Sequence, residues 1–139
     1  MFLFRRLARH DAQAVIALFA QLTQKPIAFD VVACMSDPNL HAFVAVEDGA
    51  LVAFGAIIFY RTPTKGKVAT IEDIIVDQSK RGSGLGREIV SRLVALARQE
   101  QICSIHLTSN PTRLSARKLY ESLGFTLKDT GVFELCLST

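Results

Sequence analysis

Between Val76 and Leu85 an apolar strand pattern gives way to a helical one across a turn unusually rich in glycine and cations, Asp77-Gln78-Ser79-Lys80-Arg81-Gly82-Ser83-Gly84. Upstream, Val68 to Val76 reads as a strand because β-branched residues dominate it. Downstream, Leu85, Ile89, Val90, Leu93, Val94, Leu96 and Ala97 recur at helical spacing, which predicts a long amphipathic helix from Gly84 to Glu100. A strand that delivers the chain to a helix start through glycines gathers backbone N–H groups at the positive end of the helix dipole. The missing side chains leave room for a pyrophosphate. Geometry alone can also demand glycine in a tight turn. Gly82, Gly84 and Gly86 are spaced GxGxG rather than GxGxxG, and no Lys-Ser or Lys-Thr follows, so neither the dinucleotide fingerprint nor the P-loop fits.

The rest of the chain supplies strands and helices around that unit. Met1 to Leu7 suits a short strand, and Asp11 stands in N-cap position before a helix whose apolar face is Val15, Ile16, Leu18, Phe19 and Leu22. Lys25-Pro26 breaks this helix, and Asp30 to Asp37 suits a second, short one ended by Pro38. His41 to Val46 and Leu51 to Tyr60 are rich in Val, Phe and Ile, and Asp48-Gly49 between them favours a tight antiparallel hairpin. Ile102 to Thr108 returns to strand. Pro111 permits a helix start, Ala116, Leu119, Tyr120 and Leu123 share one face, and Gly124 closes that helix. Phe125 to Lys128 and Val132 to Leu137 are expected to form a terminal hairpin. The order predicts a mixed α/β fold, a mostly antiparallel central sheet of about seven strands with helices on both faces.

Composition narrows the classes. The 139 residues, half of them apolar, suffice for one domain without metal or disulfide support. The 16 Lys plus Arg against 13 Asp plus Glu fall short of a nucleic-acid-binding stripe, and suit a polyphosphate ligand or a mixed charged surface equally. Cys34, Cys103 and Cys136 are scattered and never in CxxC, so buried thiols in a reducing compartment are expected. His10, His41 and His106 do not cluster, and no metal is expected. Arg5, Arg6 and Arg9 interrupt the apolar start at once, so neither signal peptide nor membrane span is expected and the default location is the cytoplasm.

The turn closely resembles motif A of the GNAT superfamily of acyl-coenzyme A-dependent N-acyltransferases, Arg/Gln-x-x-Gly-x-Gly/Ala, in Arg81, Gly82, Ser83, Gly84, Leu85 and Gly86. Arg6-Leu7-Ala8-Arg9-His10-Asp11 fills the family's opening Arg-x-Ala-x-x-Asp pattern, and Leu119 to Phe125 looks like its Leu-Tyr-x-x-x-Gly-Phe signature. The resemblance runs from Met1 to Leu137. It implies one N-acetyltransferase domain over 1–139, acetyl-CoA as cosubstrate, a small-molecule amine as acceptor and, by family habit, a homodimer through the terminal strands.

The same resemblance implies roles. The Val68 to Val76 strand bulges and splays from the Ile102 to Thr108 strand, and the pantetheine arm lies between them on backbone groups of Ile74, Ile75 and Val76. Amides of Arg81, Gly82, Ser83, Gly84, Leu85, Gly86 and Arg87 hold the pyrophosphate. Tyr120, taken alone, reads as a core tyrosine; in the matching signature it protonates the departing coenzyme sulfur. Glu72 and Asp73 interrupt an apolar strand, where an unpaired buried carboxylate is costly. Alternation sends them to opposite faces unless a bulge intervenes, and a salt bridge is the structural alternative for either. Glu72-Asp73-Ile74 resembles the Glu-Asp-Ile of glucosamine 6-phosphate N-acetyltransferases, whose carboxylates attend the sugar amine. Glu72 is therefore the base candidate, and with Asp73 the substrate-binding pair.

Many family members carry an Asn seven residues before the signature tyrosine, where this chain has Arg113; Asn110 lies three residues further upstream. Asn110 is a helix cap or a coenzyme contact, and Arg113 a ligand for an adenosine phosphate or a substrate anion. The Asn-x-x-Arg-x-x-Ala arrangement looks like aminoalkylphosphonate acetyltransferases. The expected acceptor is thus a phosphorylated or phosphonylated amine or an amino sugar. The alternatives are a peptide or protein amine, and a non-catalytic acetyl-CoA-binding sensor, against which the retained Glu72 and Tyr120 argue.

Overall fold

Three runs in which β-branched and aromatic residues are interspersed with small ones become the long strands of one sheet. In the computed structural model residues 1–138 are described, and they divide into a unit of Met1–Thr108 and a second that begins at Ser109. The first unit holds β1 (Leu3–Arg6), α1 (Ala12–Phe19), α2 (Val31–Ser36), β2 (Leu40–Glu47), β3 (Ala50–Thr62), β4 (Gly66–Val76), α3 (Leu85–Gln99) and β5 (Ile105–His106). The sheet order is β1-β2-β3-β4-β5, antiparallel except for the parallel β4–β5 pair. The fold class is as the sequence predicts, with five strands among the described residues where about seven were expected.

Local chemistry explains the joints. Asp48 and Gly49 both take positive φ, 50° and 82°, and Glu47 pairs with Ala50 across them, the two-residue turn whose twist matches a hairpin. Asp30 caps α2 by accepting from the Ala33 amide at 3.0 Å. Asp11 does not cap α1: residues Arg9–Asp11 make a 3-10 turn, and its carboxylate, 4% exposed, is taken by Arg5 at 2.7 and 2.9 Å and by the Ala8 amide at 2.8 Å. That ion pair, helped by Ala8, holds the Asp11 carboxyl below its ordinary range.

Both faces of the sheet are covered. Ala42, Val44, Phe54, Ala56 and Ile75 pack with Leu7 and with Val15 and Leu18 of α1. Strand alternation turns Gly55 to the opposite face, where a Cβ would collide with Ile89 Cγ2 and come within 2.7 Å of Ile74 Cδ1 and 3.4 Å of Leu93 Cδ1. Only glycine lets α3 lie that close. Ile89 and Leu93 are wholly buried there, each worth about 1.5–3 kcal/mol of transfer free energy. No helix of the described residues is long and apolar enough to cross a membrane.

In the second unit α4 spans Leu114–Ser122. It starts later than Pro111 because Asn110 first folds the chain into an Asx turn, its Oδ1 accepting from the Thr112 amide at 2.9 Å and hydroxyl at 2.8 Å. Asn110 is therefore not the cap of α4, which falls to Arg113. The expected hairpin of Phe125 to Lys128 and Val132 to Leu137 is absent; no strand forms there, and Leu127, Val132, Phe133, Leu135 and Leu137 are exposed. An alternating pattern does not make a strand without a ladder partner, and a lone two-stranded ribbon is marginal in water. Ile102 to Thr108 likewise shortens to the two residues of β5.

Candidate functional site

The β3–β4 ladder is interrupted where the carboxylates lie. Phe54 pairs with Ile75 and Ala56 with Glu72, so one residue of β3 opposes two of β4. Asp73 absorbs the extra residue with φ 56°, a left-handed conformation that aspartate adopts more readily than most residues because a short polar side chain can hydrogen-bond locally. The bulge undoes alternation: Glu72 and Asp73 line the same cavity, of about 340 Å³. Thr70 Oγ1 donates to Glu72 Oε1 at 3.1 Å and fixes that carboxylate from the same face. Both carboxylates are exposed to the cavity rather than buried in the strand, so the desolvation cost expected for them does not arise, and neither makes a salt bridge among the described residues.

Beyond the bulge, Ile74 turns towards α3 while Ile75 enters the α1 face. The β4–β5 ladder consists of Ala69 with Ile105 and Thr70 with His106, which leaves the outer edge of β4 from Ile71 to Val76 without a strand partner among the described residues. An unpaired edge here is what the implied splaying requires.

Val76 leads into the glycine-rich turn, which is pinned from two sides. Gln21, just past α1, donates to Asp77 Oδ2 at 2.9 Å and accepts from the Gln78 amide at 3.0 Å. Asp77 Oδ1 accepts from the Ser79 amide at 2.9 Å and hydroxyl at 2.6 Å; the Ser79 and Gln21 bonds bring its carboxyl down to about 2. Lys80 is ion-paired with Glu47, and the Ser83 hydroxyl bonds the Lys80 carbonyl. Gly82 and Gly84 take φ 82° and 86°, and a Cβ on either would meet no atom within 4 Å. The turn therefore presents bare backbone to open space. Gly84 is the N-cap of α3; Leu85, buried, and Gly86 open the helix, whose first amides lack helical acceptors. Arg81, Ser83 and Arg87 are exposed beside them. These features fit a pyrophosphate.

Tyr120, Asn110 and Arg113 belong to the second unit. Tyr120 is buried, its ring lies 6.0 Å edge-on from that of Phe125, and burial raises its pKa against a smaller opposing effect of Arg113. Among the described residues of that unit no hydrogen bond reaches its hydroxyl. Asn110 is committed to its Asx turn and Arg113 is exposed.

Sequence reasoning missed Gln21 and Thr70, and no local signal names them: Gln21 meets Asp77 across 56 residues. The cysteines also differ from expectation. Cys34 is half-buried, and Cys103 and Cys136 are exposed. Cys34 lines the cavity, and burial, with the carboxylates of Asp30, Asp37 and Asp73, pushes its thiol up, away from the reactive thiolate. Among the described residues no group of three or more His, Cys, Asp or Glu could hold a metal ion.

Residues 6–125 match the model of the Acetyltransferase (GNAT) family. A rice (Oryza sativa subsp. japonica) protein named "Probable glucosamine 6-phosphate N-acetyltransferase 2" is 32% identical over 138 residues, covering 89% of this chain and 81% of its own. The glucosamine 6-phosphate N-acetyltransferase of Trypanosoma brucei brucei is 28% identical over 130 residues, covering 87% and 86%. The crystal structure of the Arabidopsis thaliana glucosamine-6-phosphate N-acetyltransferase superposes with a TM-score of 0.86 at 23% identity, over 97% of this chain and 98% of that one. With the bulged strand, the open glycine turn and the family match spanning most of its length, the chain belongs to the Acetyltransferase (GNAT) family and is an N-acetyltransferase.

Proposed function

We propose that the chain transfers an acetyl group from acetyl-CoA directly to the primary amine of a small molecule in a ternary complex, as one N-acetyltransferase domain over 1–139. The observation that carries this reading is the bulge at Asp73, which turns two carboxylates into one cavity on the strand that leads to the glycine turn. Acetyl-CoA, when bound, supplies the acetyl group as a thioester open to attack by an amine. Backbone groups of Ile74, Ile75 and Val76 bind its pantetheine arm along the unpaired edge of β4, and the amides from Arg81 to Arg87 hold its pyrophosphate. Glu72, oriented by Thr70, takes the ammonium proton at its carboxylate, and Asp73 holds the amine beside it. Tyr120 gives its hydroxyl proton to the departing sulfur; burial, which raises its pKa, keeps that proton in place at neutral pH. Cys34 stays a thiol, which supports direct transfer over an acyl-cysteine route. Arg113 offers a cation to a coenzyme phosphate or a substrate anion, and Asn110 fixes the turn before α4.

Two acceptor classes have an observation each. The names of the relatives favour a phosphorylated amino sugar, with a phosphonylated amine beside it on the Asn110-Arg113 spacing. The cavity lining favours a different, apolar body. A homodimer, which the resemblance implies, would be tested by sedimentation, and the cytoplasm is the proposed location. The function itself is tested by incubating the chain with acetyl-CoA and a library of primary amines, following free thiol and acetylated product by mass spectrometry. Saturable acetyl-CoA binding without product from any amine would overturn the catalytic reading in favour of a sensor.

A further inference from the structure

The cavity that holds Glu72 and Asp73 is otherwise mostly apolar. Phe19, Phe29 and Phe54 stand mutually edge to face, centroids 5.1 to 6.3 Å apart, and Ile27, Leu40 and Ile58 continue the wall. Among the described residues lining it, Glu72 and Asp73 are the only charged ones, and Thr23 and Cys34 the only other polar ones. Among the described lining residues a phosphate would face two carboxylates and no guanidinium or ammonium, an arrangement opposite to those that bind phosphate. A sugar ring would leave most of its hydroxyls against hydrocarbon, each losing a hydrogen bond to water without replacement. An alkyl or aryl body gains from the same wall, and a primary ammonium at its end pairs with the carboxylates. The volume of about 340 Å³, near the lower end for small-molecule pockets, suits one ring on a short chain.

We infer that the acceptor is a primary amine with an apolar, single-ring or short alkyl body and no phosphate, its ammonium held by Glu72 and Asp73 and its body seated on the Phe19, Phe29 and Phe54 wall. This rests on the acetyl-transfer reading and narrows its substrate. The test compares kcat/KM for 2-phenylethylamine and hexylamine with that for glucosamine 6-phosphate and 2-aminoethylphosphonate, at saturating acetyl-CoA. The apolar amines are expected to lead by on the order of 10²-fold. A phosphorus-bearing amine that equals or exceeds them overturns this inference and leaves acetyl transfer standing. No turnover of these four amines overturns the inference, and no product from the wider amine library overturns the acetyl-transfer reading with it. A second arm uses Leu22→Arg, at a cavity residue 48% exposed and so tolerant of a long polar side chain. A cation there should move the preference towards the phosphonate by about 10-fold or more; an unmoved ratio in a variant that melts normally overturns the assignment of this cavity to the acceptor.

Discussion

Replacing Asp73 by valine asks the bulge to survive without a residue that tolerates it. Two responses are open to β4. It can keep the bulge and hold a β-branched residue at φ 56°, which costs about 1–2 kcal/mol. Or it can close the bulge by slipping one residue, which pairs residue 73 with Ala56 and Glu72 with Ile57. The slip turns the Glu72 carboxylate onto the face that α3 covers, where an unpaired charge costs more than the strain it relieves. The strain should therefore be retained. At about 2.1 cal/mol/K of unfolding entropy per residue, 139 residues convert it into a fall in melting temperature of roughly 3–7 °C. Asp73→Asn and Asp73→Gly remove the same charge but tolerate the conformation, so both should melt above the valine variant. With Glu72 as base, both should also keep measurable turnover. Thermal melts of the three variants decide the matter: valine melting level with asparagine would refute the strained bulge, and with it the reason both carboxylates share a cavity.

Gly55→Ala should lower stability by about 1–3 kcal/mol, because Ile89 and Leu93 are fully buried and cannot yield to a new methyl; a wild-type denaturation midpoint would contradict the packing of α3 there. Asp77 titrates near 2 in the folded chain against an ordinary 3.8, so its contribution is present above about pH 4 and lost as pH falls through 2. Asp77→Asn should therefore melt lower at neutral pH and converge with wild type in acid; parallel curves across that window would remove Asp77 as the pin of the turn. Tyr120→Phe should leave melting and acetyl-CoA affinity nearly unchanged while single-turnover acetyl transfer falls by about 10²-fold. An unchanged single-turnover rate would end its role as proton donor.

What the sequence made legible was set by short-range geometry. Asp48-Gly49 announces a turn because few residue pairs accept two positive φ angles, and the face of α3 follows from periodicity that any neighbour would read. The bulge is different. The glycine beside it, Gly55, lies on β3 and not on the bulged strand, and the alternation rule that assigns faces along β4 contains no instruction on where an extra residue enters, so the shared orientation of Glu72 and Asp73 emerges only with β3 alongside. Gln21 is hidden for a related reason, since its partner is supplied by a strand end far along the chain. The terminal segment errs the other way: Phe133, Leu135 and Leu137 alternate as a strand should, but a period-two pattern records a preference and not the partner that would realise it.

The signature ending in Gly124-Phe125 shows how far a motif can carry a function. Gly124 takes φ 96°, its amide bonds the Glu121 carbonyl at 3.0 Å, and the Phe125 amide bonds the Tyr120 carbonyl at 3.0 Å. Those two bonds are the paired closure of a helix by a left-handed glycine, and the Tyr120–Phe125 ring contact is the apolar clasp that accompanies it. Helix termination thus accounts for the spacing of tyrosine, glycine and phenylalanine without any chemistry. It does not account for the hydroxyl, since a phenylalanine at 120 would serve the clasp equally well. The spacing therefore argues for the fold, and the oxygen alone argues for catalysis. Tyr120→Phe separates the two because it removes the oxygen and leaves every contact that closes the helix.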